Sequence, residues 1–301
     1  SVSLSSDGSR VAIGAVNNDG ASGNGNDNRG HVRIYDYNGS AWVQVGADID
    51  GEAESDQSGH SVSLSSDGSR VAIGARYNDG GGTDSGHVRV YDYNGSAWVQ
   101  VGADINGEAA SDQSGESVSL SSDGSSVAIG AMNNDGNGSD SGHVRVYDYN
   151  GSAWVQVGGD IDGEAANDYS GGAVSLSSDG SRVVIGAYWN DGGSNSSSDN
   201  RGHVRIYDYN GSAWVKAGAD IDGEAPNDRS GGYSVSLSSD GTRIAVGATQ
   251  NDGGGTNSGH VRVYSLPGEV YKYTWDVDSG STPSSGTYYA TVAGTASATG
   301  G

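Results

Sequence analysis

Apolar and polar residues alternate along short stretches of the chain, and Gly, Asn, Asp and Ser separate these stretches. In the stretch from Arg70 to Ala75, for example, Val71, Ile73 and Ala75 fall on one face of an extended strand. Nothing in the sequence repeats at the 3.6-residue period of an amphipathic helix, and Gly interrupts every segment. The pattern therefore predicts an all-β fold built from short strands.

The predicted strands recur in units of similar length. The string SVSLSSDG begins at Ser1, Ser61, Ser117 and Ser234, and AVSLSSDG begins at Ala173, so successive units are 60, 56, 56 and 61 residues long. Each unit predicts four strands, A to D, which read SVSLSS, RVAIGA, HVRVYDY and AWVQV in the second unit. Ser-Asp-Gly is predicted to turn strand A into B, and Asn-Gly to turn C into D.

Tandem repeats of this length with four strands each predict a β-propeller in which every unit is one blade. The predicted blades are residues 1–60, 61–116, 117–172, 173–233 and 234–278, with strand D of the fifth in residues 268–278. Residues 279–301 are rich in Ser, Thr and Gly and are expected either to close the ring or to begin another domain. Five units predict a five-bladed ring or part of a larger array, and the start without Met suggests a piece of a longer repeat protein.

The repeat resembles the FG-GAP repeat of integrin α-subunit propellers and of bacterial or algal surface proteins. The resemblance is carried by SGHSVSLSSDGSRVAIGA from Ser58 and GHVRVY from Gly86, and it recurs in all five units. The Phe of the Phe-Gly pair is replaced by Ser, at Ser58, Ser114, Ser170 and Ser230. The calcium loop that the family places between strands A and B is shortened here to Ser-Ser-Asp-Gly. The resemblance therefore implies the propeller fold, without that metal site.

Charge and composition exclude several classes of function. The 38 Asp and Glu residues against 15 Lys and Arg give a net charge of -23, which opposes binding to nucleic acid phosphates. The absence of Cys excludes disulfides, thiolate zinc sites and a cysteine nucleophile. No apolar run approaches the roughly 20 residues of a membrane-spanning helix.

Much of the acidic charge recurs in the connections from strand B to C and from strand D to A. Because neighbouring strands are antiparallel, both sets of connections lie on one face of the propeller, called here the loop face. A hard cation with oxygen ligands would offset carboxylate repulsion and the entropy lost when Gly-rich loops become ordered. The sequence predicts Ca²⁺ bound by Asp19 and Asp27, Asp79 and Asp84, Asp135 and Asp140, Asp191 and Asp199, and Asp252 and Asn257. The alternative is that these side chains cap turns and solvate the surface.

Two other recurring residue types have structural interpretations. The His at the start of strand C (His31, His87, His143, His203 and His260) is predicted to serve packing or hydrogen bonding. The strand D Trp (Trp42, Trp98, Trp154 and Trp214) is predicted to pack one blade against the next, with sugar stacking as the alternative. Trp189 occurs in the fourth unit alone and is predicted to be an exposed ligand contact. Asn137 and Asn195 are predicted as the accessible N-glycosylation sites if the chain is secreted by a eukaryote.

Near-identity of the units indicates binding or structure in preference to catalysis. Enzymes of this fold place unlike residues around the axis, and we expect no blade to contribute a singular acid, base or nucleophile. The predicted function is a non-enzymatic extracellular module for cell-surface adhesion or for surface or filament structure. The alternative is a calcium-dependent, lectin-like carbohydrate-binding propeller. The expected partners are a surface glycan, a protein ligand or further copies of the chain.

Overall fold

The computed structural model describes residues 1–20, 25, 27–192 and 199–266, and it confirms the all-β prediction. The described strands form five antiparallel sheets, which are the blades of a five-bladed β-propeller. The predicted strand D of the fifth blade and the tail at 279–301 lie outside the described residues. No helix in the described ranges has the length and apolar character that a membrane-crossing segment needs.

The strands follow the repeat. Blade 1 contains β1 (Val2–Leu4), β2 (Arg10–Ala15), β3 (His31–Tyr37), β4 (Trp42–Gln44) and β5 (Ile49–Asp50). Blade 2 contains β6 (Ser61–Leu64), β7 (Arg70–Ala75), β8 (His87–Tyr93), β9 (Trp98–Gln100) and β10 (Ile105–Asn106). Blade 3 contains β11 (Ser117–Leu120), β12 (Ser126–Ala131), β13 (His143–Tyr149), β14 (Trp154–Gln156) and β15 (Ile161–Asp162). Blade 4 contains β16 (Ser170–Leu176), β17 (Arg182–Ala187), β18 (His203–Tyr209), β19 (Trp214–Lys216) and β20 (Ile221–Asp222), and blade 5 contains β21 (Ser230–Leu237), β22 (Arg243–Ala248) and β23 (His260–Ser265).

The outer strand of each of blades 1 to 4 is divided in two, which the sequence did not predict. In blade 2, both β9 and β10 pair with β8: Trp98 lies opposite Tyr93 at one end, and Ile105 lies opposite Val88 at the other. Gly102 lies between the two segments and has a φ of 75°, a left-handed conformation that glycine adopts at little cost. Strand D is therefore shorter than predicted and is interrupted by a turn.

The predicted turns form as expected and depend on side chains. In blade 2, Asp67 Oδ1 accepts hydrogen bonds from the Ser65 hydroxyl at 2.7 Å and from the Ser69 amide at 2.9 Å. At the turn from C to D, Asn94 Oδ1 accepts from the amides of Ser96 at 3.0 Å and Ala97 at 2.9 Å. These local bonds explain why Asp-Gly and Asn-Gly recur at the ends of the hairpins.

The apolar core lies between the blades. Strand B is buried on both sides, because its alternate residues face the preceding and the following blade. Between blades 2 and 3, the core consists of Ala72, Val88, Val90 and Ile105 from one side and Val118, Leu120, Val127 and Ile129 from the other. The same positions form the core between blades 1 and 2 and between blades 3 and 4. We call this recurring contact the blade junction.

Polar contacts at fixed positions hold each junction in register. The indole Nε1 of Trp98 donates to the Val45 carbonyl of the preceding blade at 2.9 Å. Trp154 and Trp214 do the same with Val101 and Val157, at 2.9 and 2.8 Å. The prediction that these Trp residues pack blade against blade is therefore confirmed for the three internal positions.

Side chains of Ser3 and Arg10 make further polar contacts across the junction. The Leu64 amide of blade 2 donates to the Ser3 hydroxyl of blade 1 at 3.0 Å, so the Ser residues of the SVSLS string link successive inner strands. Arg10 pairs with Asp36 of its own blade at 2.6 Å and donates to the Gly68 carbonyl of the next blade at 2.9 Å. Its guanidinium also lies 5.0 Å from the ring centroid of Tyr93.

The Gly of the recurring Gly-Ala pair lets adjacent backbones approach closely. A Cβ atom at Gly130 would lie 2.0 Å from the Gly171 carbonyl oxygen of the next blade. By contrast, Gly159 has no heavy atom within 4 Å of the Cβ position, and the other units have Ala there, at Ala47, Ala103 and Ala219. The two positions form a matched pair for testing the junction.

We expect Gly130→Ala to destabilise the protein by about 1–3 kcal/mol, because the added methyl group forces the backbones of blades 3 and 4 apart. Gly159→Ala should leave stability unchanged or raise it by up to about 1 kcal/mol. Urea denaturation followed by tryptophan fluorescence measures both changes. Equal denaturation midpoints for the two variants would contradict the close packing described here.

Candidate functional site

The predicted Ca²⁺ ligands lie in five separate loops of the loop face. In blade 2, Asp79 Oδ1 accepts a hydrogen bond from the Asp84 amide at 2.8 Å, and Asp84 has a left-handed φ of 53°. Asp135 and Asp140 repeat this contact at 2.8 Å, and Asp252 and Asn257 repeat it at 2.7 Å. In the two longer loops, Asp19 accepts from the Asn28 amide at 3.1 Å, and Asp191 accepts from the Asn200 amide at 3.0 Å.

The second predicted acid of each longer loop is buried against a cation of the protein. Asp27 and Asp199 are almost completely buried, and each pairs at 2.7 Å with the Arg two residues later, Arg29 or Arg201. None of the ten predicted ligands belongs to a group of three or more metal-binding side chains within the described part of the chain. Their assignment to Ca²⁺ stays a prediction.

One acid of each D-to-A connection has a structural role. Asp56 is buried, and its Oδ2 accepts from the Ala53 amide at 2.9 Å and from the Asn78 amide side chain of blade 2 at 3.0 Å. The same buried pair recurs at Asp112 with Asn134, Asp168 with Asn190, and Asp228 with Asn251. These Asp residues therefore link each connection to the B-to-C loop of the next blade.

Four groups of side chains in the described residues could hold a metal ion, and each combines one His with two carboxylates. They are His31 with Asp48 and Asp50; His87 with Glu52 and Asp104; His143 with Glu108 and Asp160; and His203 with Glu164 and Asp220, their ligand atoms lying within 4.8 Å of one another. Sequence reasoning missed the last three groups because their carboxylates come from connections of two successive units. The His residues were predicted as structural, and these four are indeed buried.

An Arg side chain already neutralises carboxylates in these groups. Arg145 Nη2 lies 2.9 Å from Glu108 Oε2, and Arg145 Nε lies 3.3 Å from His143 Nε2. A metal ion there would have to displace the guanidinium. A donor set with imidazole also suits a transition metal better than Ca²⁺, which takes oxygen ligands.

Burial keeps His87 and His143 neutral. Together with the positive charge of the adjacent Arg89 and Arg145, it lowers the pKa of each ring to about 4. His87 is fully buried, and neither of its ring nitrogens has a hydrogen-bond partner among the described residues. Protonating these rings therefore works against folding.

The blades carry unrelated side chains at four repeat positions of the loop face. Two positions directly follow strand B: one holds Val16, Arg76, Met132, Tyr188 and Thr249, and the next holds Asn17, Tyr77, Asn133, Trp189 and Gln250. The other two flank the Ser-Gly pair before strand A: one holds Gln57, Gln113, Tyr169 and Arg229, and the other holds His60, Glu116, Gly172 and Gly232, with Tyr233 inserted after the last. The strands beneath these positions are nearly identical.

Around blade 4, five side chains at these positions form an aromatic patch, which we define as Tyr169, Tyr188, Trp189, Arg229 and Tyr233. The ring centroid of Tyr188 lies 5.7 Å from that of Tyr169, 6.1 Å from that of Trp189 and 5.5 Å from that of Tyr233. The Arg229 guanidinium lies 4.9 Å from the Trp189 ring. Burial raises the pKa of Tyr188 to about 12, and the neighbouring Tyr233 and Glu116 add to this shift.

The backbone positions the patch at the ends of buried strands. Tyr188 and Trp189 directly follow β17, and Tyr169 directly precedes β16. Tyr169 and Arg229 both have a φ of 54°, a left-handed conformation that recurs at the equivalent Gln57 and Gln113. Each blade therefore presents a side chain from the same place, and only its chemistry changes.

A cleft of about 360 Å³ opens beside the patch. Two aromatic side chains and several polar ones line it: Ala166, Asn167, Asp168, Tyr169, Trp189, Asp191 and Asn200. The predicted ligand contact Trp189 is thus partly buried and lines a concave surface. Flat apolar rings beside carboxylate and amide groups suit a ligand that has both apolar faces and hydroxyl groups.

Around blade 2, three side chains at these positions form a charged cluster of His60, Arg76 and Glu116. Glu116 Oε2 lies 3.1 Å from both His60 Nε2 and Arg76 Nη1. Burial favours the neutral carboxyl, but hydrogen bonds from His60 and Arg76 outweigh it and lower the pKa of Glu116. The expectation that no blade has a singular acid was wrong, because Glu116 stands where the other blades have His or Gly. Comparing the units position by position would have revealed it.

Of the two predicted glycosylation sites, Asn137 lies within the described residues. The Asn137 side chain donates to the carbonyls of Gly163 and Glu164, both at 2.9 Å. A glycan on this nitrogen would remove a donor from that contact. Asn195 lies outside the described residues.

We expect the free energy of unfolding to decrease as the pH falls from about 6.5 to about 4. Unfolded His protonates near pH 6.5, whereas His87 and His143 have a pKa of about 4 when folded, so the unfolded chain binds more protons in this window. The stability they contribute is complete above the upper value and is lost as the pH falls through the lower one. Urea denaturation of the wild type and of a His87→Gln/His143→Gln variant measures it, and an identical pH dependence in both would contradict the assignment.

Comparisons with known proteins agree with the fold. The FG-GAP repeat family model matches residues 48–91 and 106–147. No curated protein matches the sequence. The solved periplasmic gluconolactonase of Pseudomonas aeruginosa is similar with a TM-score of 0.52 and 16% identity, over 81% of this chain and 63% of that chain. The hydrazine synthase of Kuenenia stuttgartiensis is similar with a TM-score of 0.48 and 18% identity, over 83% of this chain and 56% of that chain.

At 16% identity the similarity to the gluconolactonase shows the fold alone. The chain spans less than two thirds of the length of either protein. The bounds of the two matched regions agree with the positions of the strands in the structure. Both regions matched by the family model run from one connection of the loop face through strands A, B and C. Residues 48–91 and 106–147 therefore match the FG-GAP repeat, and they lie in consecutive blades of a five-bladed β-propeller.

Proposed function

We propose that this chain is a non-enzymatic, extracellular binding module of the adhesion type, and that it binds its ligand at the aromatic patch. One observation carries the proposal: the side chains that differ between otherwise near-identical blades meet on one surface of the loop face. Residues that only maintain the fold would be expected to repeat from blade to blade, as the junction residues do. A surface where they diverge is the natural place for a ligand that touches several blades.

The chemistry of the patch suits recognition. Tyr, Trp and Arg are the side chains that most often dominate binding energy, because they combine large apolar area with a polar tip. Tyr233 is 64% exposed and lies in ring contact with Tyr188. The raised pKa of Tyr188 keeps its hydroxyl neutral, so it can donate a hydrogen bond at any physiological pH.

The same surface gives little support to catalysis. A general acid needs a pKa near the working pH, and His60 and Arg76 instead hold Glu116 in the ionised form. The FG-GAP repeats support the extracellular location. The gluconolactonase similarity carries no argument for activity in this chain, since at 16% identity it reports the fold.

A glycan is the second candidate ligand, and the cleft favours it. Tyr169 and Trp189 can stack on the C–H face of a sugar ring, and Asp168, Asp191 and Asn200 lie within the same cleft to bind hydroxyl groups. This arrangement would make the chain a lectin-like propeller. A chelator tests whether glycan binding depends on calcium.

We further propose Ca²⁺ as the counter-ion of the loop face. The net charge of -23 supports it, and so do the five recurring residue pairs, of which the first is Asp19 with Asp27 and the last is Asp252 with Asn257. Bound Ca²⁺ would relieve repulsion between carboxylates. The backbone contacts to Asp79, Asp135 and Asp252 use one oxygen of each carboxylate.

Trp189→Ala should weaken ligand binding by about 30-fold or more, which corresponds to the roughly 2 kcal/mol typical of a central aromatic contact. Tyr37→Ala is the matched control, because Tyr37 is 48% exposed on β3 outside the patch. A glycan array and cell-surface binding assays identify the ligand first. A ligand bound equally well by both variants would place the binding surface elsewhere.

The melting temperature should be higher in Ca²⁺ than in EGTA, since an ion that binds only the folded state stabilises it. Mg²⁺ at the same concentration controls for ionic strength. An unchanged melting temperature would contradict the calcium proposal and leave the aromatic patch unaffected. Glycan binding that disappears in EGTA would assign the lectin-like alternative.

A further inference from the structure

Blade 1 exposes the apolar side of a blade junction. Val2 and Leu4 are 66% and 58% exposed, whereas the equivalent Val62 and Leu64 of blade 2 are each 7% exposed. Ile13 is 42% exposed, and its equivalent Ile73 is 1% exposed. The side chains that blade 2 buries against blade 1 therefore lie open on blade 1 itself.

Blade 5 exposes the opposite side of the same junction. Val261 and Val263 are 69% and 67% exposed, whereas the equivalent Val88 and Val90 of blade 2 are 0% and 2% exposed. Within the described residues, blade 1 and blade 5 therefore expose two complementary faces. The face on blade 1 is the one that every internal blade buries against the preceding blade, and the face on blade 5 is the one that every internal blade buries against the following blade.

The polar contacts of the junction are also open at both ends. Arg10 and Arg70 donate to the carbonyls of Gly68 and Gly124 in the next blade, both at 2.9 Å. Their equivalent Arg243 is exposed on blade 5, and the Gly8 turn of blade 1 has no neighbouring atom within 4 Å of its Cβ position. A blade 1 seated on blade 5 would bring the Gly8 carbonyl to the position that Gly68 and Gly124 occupy at the internal junctions, where Arg243 could donate to it.

The inner strands show the same complementarity. The Leu64, Leu120, Leu176 and Leu237 amides donate to a Ser hydroxyl of the preceding blade, at 2.9 to 3.0 Å. The equivalent acceptor on blade 5 is Ser236, which is exposed, and the equivalent donor on blade 1 is the Leu4 amide. A blade 1 docked on blade 5 would complete this contact without any change in either strand.

We propose that blade 1 of one copy docks on blade 5 of a second copy and repeats the internal blade junction between the two chains. The occupant is a second copy because its free face has the same residues, in the same register, that occupy the equivalent face inside the chain. The contact is head to tail, so each docked copy leaves one of its own faces open. Such a contact builds a closed ring if the rotation permits and an open filament if it does not.

The high charge predicts how the assembly responds to salt. Copies of a chain with a net charge of -23 repel each other at low ionic strength, while the apolar contact gains strength as that repulsion is screened. Association should therefore increase with salt concentration. An assembly held together by ion pairs would respond in the opposite direction.

Light scattering coupled to size exclusion tests the proposal with the full chain and three variants. Leu4→Glu blocks the blade 1 face, and Val263→Glu blocks the blade 5 face. Val43→Glu is the control, because Val43 is 50% exposed on β4 and its equivalents Val99, Val155 and Val215 are equally exposed on internal blades. Circular dichroism and melting temperatures confirm folding, and Val2→Glu with Val261→Glu provides a second pair if a variant fails to fold.

The wild type and Val43→Glu should both have masses above the monomer that increase with concentration. Leu4→Glu and Val263→Glu should each be monomeric when alone. Mixed together they should form a one-to-one dimer that does not grow, because only one open pair of faces remains. The proposal is overturned if the wild type stays monomeric up to its solubility limit. Coverage of these faces by residues 267–301 of the same chain would produce that result. Assembly that persists in both single variants overturns it as well.

Discussion

The blade junction is the contact on which the rest of this structure depends. A blade of four short strands has two apolar faces and cannot bury either of them alone, so stability comes from contacts between neighbours. Val71 and Ile73 belong to one junction, while Ala72 between them belongs to the next. Because strand B contributes side chains to two junctions, it is buried along nearly its whole length. A Gly is needed where two blades touch through their backbones. The junction also explains why the same string of residues returns in each unit.

The junction leaves the loop face free to diverge. The residue after the Gly-Ala pair lies just beyond the last buried position of strand B, so it can change without disturbing the core. That position holds Arg76 in one blade and Tyr188 in another, while Ala75 and Ala187 before them are both buried. The charged cluster and the aromatic patch both arise because the loop-face side chains vary while the strands beneath them stay nearly the same. Under the proposed function, binding specificity and stability are carried by separate residues, one sequence position apart.

The strands and repeat boundaries were predictable because they depend on local patterns. The predicted strand HVRVYDY coincides with β8, and the turns around Asp67 and Asn94 follow from side chains two or three residues away. The division of strand D was not predictable, since β10 has two residues and pairs with the start of β8 across a long stretch of chain. Trp189 was identified as singular from the sequence, but its neighbours Tyr169 and Tyr233 come from other connections and only the fold brings them together. The His and carboxylate groups were missed for the same reason.

Amide hydrogen exchange at low and high protein concentration tests the central role of the blade junction most directly. The account predicts slow exchange at both concentrations for β6, β11 and β16, whose Leu64, Leu120 and Leu176 amides bond across internal junctions. It predicts fast exchange for β1 at low concentration and slower exchange at high concentration, as a second copy covers Leu4. Equal, slow exchange of β1 and β6 at low concentration would contradict the account, because blade 1 would then already be covered. Fast exchange of β6 and β11 would contradict it too, since the internal junctions would not be the stable contacts of the fold.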